Sequence, residues 1–246
     1  MPRMTSSSET VGFKIDDAEP AMIEWDSPNY DDREGPVSLL VMHYTGMPTG
    51  RAALDLLISP RAKVSSHYVV DEDGSVYRLV PETKRAWHAG ISSWRGQQGL
   101  NDASIGIEVV NPGHAWGYKP FPSVQMRAVL ALSQGILARH DIPARNIVAH
   151  SDIAPNRKQD PGELFDWPWL AAHGVGVWTD EWAASADWQA DLAAIGYDMT
   201  LPVGDVLRAF QRHFLPKNLT GLADMPTKRR AASLRQLMVD GLQDQS

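Results

Sequence analysis

Five residues of this 246-residue chain are of types that could together hydrolyse an amide: His43, Glu108, His150, Lys158 and Asp160. His43 falls at the end of the apolar run VSLLVMHYT (37–45), and His150 closes the run NIVAH (146–150). Strand ends in one sheet can converge on a single cleft however far apart they lie in sequence. Two neutral imidazoles and one carboxylate make a three-ligand zinc set with a fourth position open to water, the arrangement of a catalytic rather than a structural site. Asp160, ten residues after His150, is the natural third ligand. Zinc brings the pKa of bound water to about 7 and polarises an approaching carbonyl, so amide hydrolysis can run at neutral pH without a covalent intermediate. A base is still needed, and Glu108 is the candidate, because a carboxylate on an otherwise apolar strand is costly unless functional or paired. Lys158 is the candidate cation for the developing oxyanion. Spacing alone leaves other readings open: Lys158 suits a solvated loop, and Glu108 suits a salt bridge at a sheet edge.

The elements that must place these residues can be read from the hydrophobic pattern. The segment HSDIAPNRKQDPG (150–162) is broken by Pro155, Pro161 and Gly162, so His150, Lys158 and Asp160 are expected on an irregular stretch after a strand. The run 37–45 reads as a buried strand bounded by Gly35-Pro36 and Gly46. GRAALDLLI reads as a short helix stopped by Ser59-Pro60, and SSHYVVDEDGSVYRLVP (65–81) as two strands around the turn dipeptide Asp73-Gly74. SIGIEVVN (104–111) is a further strand. A long amphipathic helix is expected from Pro122-Ser123 to about His140, with Ser123 as its N-cap.

Strands interleaved with helices predict an α/β (α+β) fold in which a central mixed β-sheet is flanked by helices. After DWPWLAAHGVGVW (166–178) the text becomes helical only, and GDVLRAFQRHFLP (204–216) has the clearest apolar face. The expected division is a polar lead-in over 1–35, a main domain over 36–177 and a small three-helix domain over 178–246.

Composition narrows the function. The chain has 43% hydrophobic residues, enough for a substantial core, and a formal charge of -7, which offers no basic field to gather nucleic acid. It has no cysteine, so disulfides, thiol nucleophiles and cysteine-ligated metals are excluded, and a metal must use His, Asp or Glu. No apolar run approaches the roughly 18 residues of a membrane span, and MPRMTSSSETVGFKIDDAEP does not read as a signal peptide. The expected compartment is the cytoplasm; the alternative is the periplasm or outer membrane, should an export segment precede the sequence. His114, His140, His173 and His213 are expected to be surface or hydrogen-bonded core residues, and His67 to be structural.

The blocks LLVMHYT, VSSHYVVDEDGSVYRLV, RAWHAGISSWRG, LNDASIGIEVVN and VAHSDIAPNRKQDPG, in this order over about residues 36–170, resemble the zinc-dependent N-acetylmuramoyl-L-alanine amidases of the amidase-2 type, relatives of the peptidoglycan recognition proteins. The resemblance implies one Zn2+ per chain on His43, His150 and Asp160, with Glu108 and Lys158 in the catalytic positions. It implies cleavage of the amide between the lactyl group of N-acetylmuramic acid and the L-Ala of the stem peptide. RAWHAG lies along the substrate cleft in the resembling enzymes, which makes Trp87 and His88 candidate substrate contacts, and Lys63 could meet a stem-peptide carboxylate. LAAIGYDM and VLRAFQRHFLP resemble a small peptidoglycan-binding module.

The substrate expected is a muropeptide, in particular the 1,6-anhydro form of cell-wall recycling. Intact peptidoglycan at the wall is the alternative. A recognition protein without catalysis and a zinc peptidase of ordinary peptides complete the open readings. The sequence gives no indication of oligomeric state.

Overall fold

The computed structural model describes residues 20–239, so most of the expected lead-in, residues 1–19, lies outside the described residues. Ten strands are described: β1 (Met22–Glu24), β2 (Tyr30–Asp32), β3 (Leu39–Tyr44), β4 (Tyr68–Val70), β5 (Val76–Arg78), β6 (Lys84–Ala86), β7 (Ser93–Trp94), β8 (Gln97–Gln98), β9 (Ser104–Val109) and β10 (Ile147–Ala149). The helices of the first part are α1 (Gly50–Leu57), α2 (Gly113–Trp116), α3 (Ser123–Arg139), α4 (His150–Ile153) and α5 (Trp167–Ala172). Three more follow: α6 (Trp188–Ile195), α7 (Val203–Phe214) and α8 (Met225–Val239).

Six strands form one sheet in the order β1-β5-β4-β9-β3-β10. It is mixed, as expected: β4 and β5 pair antiparallel across the turn at Asp73-Gly74, and the other four pairings are parallel. Central parallel strands are covered on both faces and read as continuous apolar runs, and LLVMHY on β3 is buried at every position except Tyr44. The lead-in is tied down from residue 20 onward. β1 adds to the sheet edge, β2 pairs with β6, and the Arg33 guanidinium donates to the carbonyls of Glu82, Lys84, Asp102 and Ser104.

The two sheet faces are covered differently. On one, Leu40, Met42, Ile105, Ile107 and Ala149 pack beneath Val129, Leu132 and Ile136 of α3 and Trp167 and Leu170 of α5. Each fully buried Leu, Ile, Val or Met side chain among these contributes about 1.5–3 kcal/mol over exposure. The opposite face is closed by two separate clusters. Over β3 and β10, Leu39, Val41 and Val148 meet Leu192, Val206, Leu207, Phe210 and Leu234 of α6, α7 and α8. Over β4, Val69 meets Leu54 and Leu57 of α1. Between them, on this face, β9 carries Ser104, Gly106 and Glu108 instead of large apolar residues.

Two local expectations are corrected. Ser123 is the first residue of α3 rather than its cap: the carbonyl of Pro122 accepts the Met126 N–H at 3.0 Å, and no side chain caps the helix. His150 does not finish β10 but opens the single turn α4, so the loop expected after the strand begins with a helical turn.

Candidate active site

His43 and Glu108 are register partners on the parallel pair β3 and β9, so their side chains stand side by side on one face, at the carboxyl ends of the strands. His150 follows the parallel β10 at the same end of the sheet. Asp160 arrives from the loop beyond α4, where the Ser151 N–H donates to its carbonyl at 3.0 Å. Gly162 completes the turn: its φ is +87°, and a Cβ there would lie 2.2 Å from the Tyr118 hydroxyl, which donates to the Pro161 carbonyl at 2.8 Å. These two constraints account for the glycine that follows Pro161.

Three side chains meet here. His43 Nδ1 is 2.9 Å from His150 Nδ1 and 3.1 Å from Asp160 Oδ2, and His150 Nδ1 is 2.9 Å from the same oxygen. All three residues are buried. The spacing is close to the edge of about 3.3 Å made by ligands 2.0–2.1 Å from a common tetrahedral centre. The outer nitrogens fit a metal site as well. His150 Nε2 donates to the Ala89 carbonyl at 3.2 Å, and His43 Nε2 donates to His88 Nδ1 at 3.0 Å, which leaves each Nδ1 lone pair free to coordinate. The relay runs on from His88 Nε2 to the Ser104 hydroxyl at 3.3 Å, which in turn donates to the Leu100 carbonyl at 2.6 Å. His43, His150 and Asp160 can thus hold a metal ion.

Electrostatics set the same protonation states. Burial, reinforced by the neighbouring His150, pulls His43 down to about 4, so it is neutral at physiological pH. Burial works against the charge of Asp160, but attraction and hydrogen bonds from His150 and His43 outweigh it and hold the carboxyl well below the usual range. Glu108 is opposite in behaviour: burial, then the nearby Asp160, raise its pKa well above the ordinary value, and Lys158 offsets only part of this. Its Oε2 is enclosed and has no hydrogen-bond partner. Lys158 lines the cleft close enough to Glu108 and His43 to bear on the charge of both.

An open cleft of about 360 Å³ lies over these groups, lined by Glu108, His150, Lys158 and Asp160 on one side and by Leu56, Leu57 and Val64 on another. Trp87 lines it, with Nε1 bonded to Asp31 at 2.7 Å. His88 also lines it, with both ring nitrogens engaged as above. Lys63 is exposed, with φ +56°, one residue outside the lining at Val64. His67 is fully buried, accepting from the Gly106 N–H and donating to the Lys84 carbonyl.

Sequence reasoning missed the residues that hold RAWHAG over the site. Asn101 Oδ1 accepts the backbone N–H groups of His88 and Ala89 at 3.0 and 2.7 Å. Gly106 lets the His88 ring lie on β9, for a Cβ there would be 2.6 Å from it. The signal was present, since an isolated glycine inside a strand marks a close approach.

Two buried imidazoles and a carboxylate that could hold a metal ion, with Glu108 and Lys158 lining the same cleft, are a combination of groups capable of hydrolytic chemistry. A family model described as N-acetylmuramoyl-L-alanine amidase matches residues 33–163. The chain belongs to the N-acetylmuramoyl-L-alanine amidase family and is an enzyme of that class. It is similar to the N-acetylmuramoyl-L-alanine amidase AmiD of Escherichia coli, 38% identical over 229 residues that span 80% of this chain and 82% of that protein. It is also similar to the 1,6-anhydro-N-acetylmuramyl-L-alanine amidase AmpD of Citrobacter freundii, 37% identical over 57% of this chain and 83% of that one. Among solved structures, E. coli AmiD with the substrate anhydro-N-acetylmuramic acid-L-Ala-D-γ-Glu-L-Lys superposes with a TM-score of 0.73 at 35% identity, covering 85% of this chain and 98% of that one. AmpDh3 of Pseudomonas aeruginosa with anhydromuramic pentapeptide gives 0.72 at 31% identity, covering 84% and 92%. Family membership selects the amidase among the readings left open by the sequence.

Proposed function

We propose that the enzyme hydrolyses the amide between the lactyl group of 1,6-anhydro-N-acetylmuramic acid and the L-Ala of a stem peptide, using one zinc ion held by His43, His150 and Asp160. The observation that carries this reading is the convergence of His43 Nδ1, His150 Nδ1 and Asp160 Oδ2 within 2.9–3.1 Å of one another. A bound zinc ion supplies Lewis acidity for the scissile carbonyl and acidifies water. Glu108 takes the proton from the attacking water and returns it to the departing amine of L-Ala, from its place in the cleft beside the triad. Lys158 faces the same cleft and places a positive charge where the carbonyl oxygen becomes negative.

Trp87 offers a flat surface to the sugar or first peptide unit, and Lys63, exposed beside the cleft residue Val64, is the proposed partner for a stem-peptide carboxylate. The His88 ring, with both nitrogens spoken for, serves the reaction through its hold on His43. No described helix is long and apolar enough to cross a membrane. The compartment proposed is the cytoplasm, in wall recycling, on the resemblance to 1,6-anhydro amidases. A wall-facing role on peptidoglycan is the second reading; the match to AmiD spans more of this chain than the match to AmpD.

Mass spectrometry of products tests both. Zinc-loaded protein is incubated with a soluble anhydro-muropeptide and, separately, with purified sacculi. Chelator-sensitive release of stem peptide from the soluble substrate is expected. Release from sacculi alone would move the enzyme to the wall, and release from neither would remove the proposed substrate.

A further inference from the structure

Asp152 is a buried carboxylate two residues beyond His150, and the triad gives it no task. Both of its oxygens are nevertheless committed. Oδ2 accepts the Ala149 N–H at 2.8 Å, at the junction where β10 becomes α4, and accepts His213 Nδ1 at 2.6 Å. Oδ1 accepts the Tyr197 hydroxyl at 2.6 Å. His213 belongs to α7, and Tyr197 to the turn after α6. Two of the three donors therefore come from the C-terminal helices.

Those donors are themselves held. The His213 ring lies between Trp167 and Phe214, with centroids 3.9 and 3.8 Å away, and its Nε2 has no partner. The Tyr197 ring packs edge-on against Trp94 and Phe210. The element they grip has little stability of its own: α4 is four residues long, too short for a helix to persist unaided. Its direction, and with it the direction of the His150 side chain at its first position, depends on what grips it. On one side that is the Asp160 carbonyl, bonded to the Ser151 N–H; on the other it is Asp152.

We propose that the C-terminal helices are a working part of the metal site: through Tyr197, His213 and Asp152 they fix the first turn of α4 and so hold His150 Nδ1 where the ion is taken. The inference rests on the metal reading above. It gives these helices an inward, positioning role, separate from any contact with glycan. Tyr197 and His213 are positioning residues that never touch substrate.

Partners that orient metal ligands typically change metal affinity 10- to 100-fold when removed. Because the effect here passes through one turn of backbone, a loss of about 10-fold is expected. The test uses the full chain with three variants. Tyr197→Phe removes one hydroxyl and keeps the ring; His213→Leu removes the Nδ1 donor; His213→Asn restores an N–H donor near the place of Nδ1. Zinc affinity is read by competition with a chromophoric chelator, ligand geometry from the visible spectrum of the Co2+-loaded protein, and fold stability from melting of the metal-free protein.

Tyr197→Phe and His213→Leu should weaken zinc about 10-fold and shift the cobalt bands, and His213→Asn should recover affinity. Variants that melt lower yet bind zinc and show cobalt spectra as the unsubstituted protein does would overturn the proposal, leaving an ordinary packing interface. Should His213→Leu fail to fold, Tyr197→Phe decides alone. Unsubstituted protein that takes up neither ion would overturn the metal reading and this inference together, whereas unsubstituted protein that binds both while the variants match it overturns this inference only.

Discussion

Glu108 and Lys158 occupy one cleft with opposite charges in prospect, and their substitutions separate chemistry from metal binding. Glu108→Gln keeps the shape of the side chain but not the proton acceptor. It should retain one zinc per chain and lose kcat by about 10²-fold or more, the usual worth of a general acid–base. A zinc-replete Glu108→Gln enzyme of near-normal rate would return Glu108 to a structural role. Lys158→Ala should lower kcat by about 10²-fold with little change in KM, because its interaction strengthens only as the oxyanion forms; steady-state kinetics on a muropeptide decides it. The residue types of the triad were legible in the sequence, but their meeting was not. His43 and Asp160 are 117 positions apart, and nothing in either local pattern encodes that their atoms come within 3.1 Å. The five motif blocks in order made the grouping readable. The hydrogen bonds beneath it, from His88 to Ser104 and from His150 to Ala89, are set by tertiary packing and could not be read.

Among the elements, β9 is the one whose sequence is decided by its neighbours on both faces. Its Ile105, Ile107 and Val109 feed the core beneath α3, and its Ser104, Gly106 and Glu108 face the cleft side. Gly106→Ala would press a methyl group into the His88 ring, at 2.6 Å if nothing moved. Overpacking of this kind costs about 1–3 kcal/mol. The melting temperature should fall by several degrees, and because His88 supports His43, zinc affinity should fall with it; calorimetry and chelator competition on one preparation would show whether the two losses travel together. Strands and long helices were legible here because their apolar periodicity is local. The start of α3 was misread because a serine before an apolar run looks like a cap, whereas the backbone of Pro122 already fills that place. The turn α4 was missed because four residues carry no period, and some of the contacts that hold it, such as His213 on Asp152, come from 61 positions away.

At the scale of the molecule, the buried histidines make stability depend on acidity. His67 is held down to about 3 by burial, His43 to about 4, and burial puts His88 well below its ordinary value. Each is neutral when folded but titrates near 6.5 when unfolded, so below about pH 6.5 the unfolded chain binds more protons and stability falls. Glu82 adds to the trend: burial opposes its charge, but Arg139, Tyr68 and His140 bring it to about 2, so its contribution too is lost on acidification. Glu108 acts in the reverse sense, since its raised pKa removes stability as pH rises. The three histidines and Glu82, with the depressed Asp160 carboxyl acting in the same sense, outnumber Glu108 and predict that the metal-free protein melts progressively lower from pH 6.5 to pH 4; a flat profile over that interval would mean that the histidines are hydrated in the folded state. That the described residues after about 178 carry helices and no strand was visible in the sequence pattern. That these helices close one face of the sheet was not, because an amphipathic pattern shows that a helix buries a face without saying against what.

The register between β3 and β9 has one more effect. A strand that slips by a single residue turns every side chain to the opposite face. With β3 one step out, His43 would be buried under α3, and Met42 or Tyr44 would present itself to the cleft. The triad exists only in chains whose strands are paired in step, so an ion held there would act as a proofreader of folding: it would draw the population toward the correctly aligned sheet and withhold its stabilisation from every mispaired one.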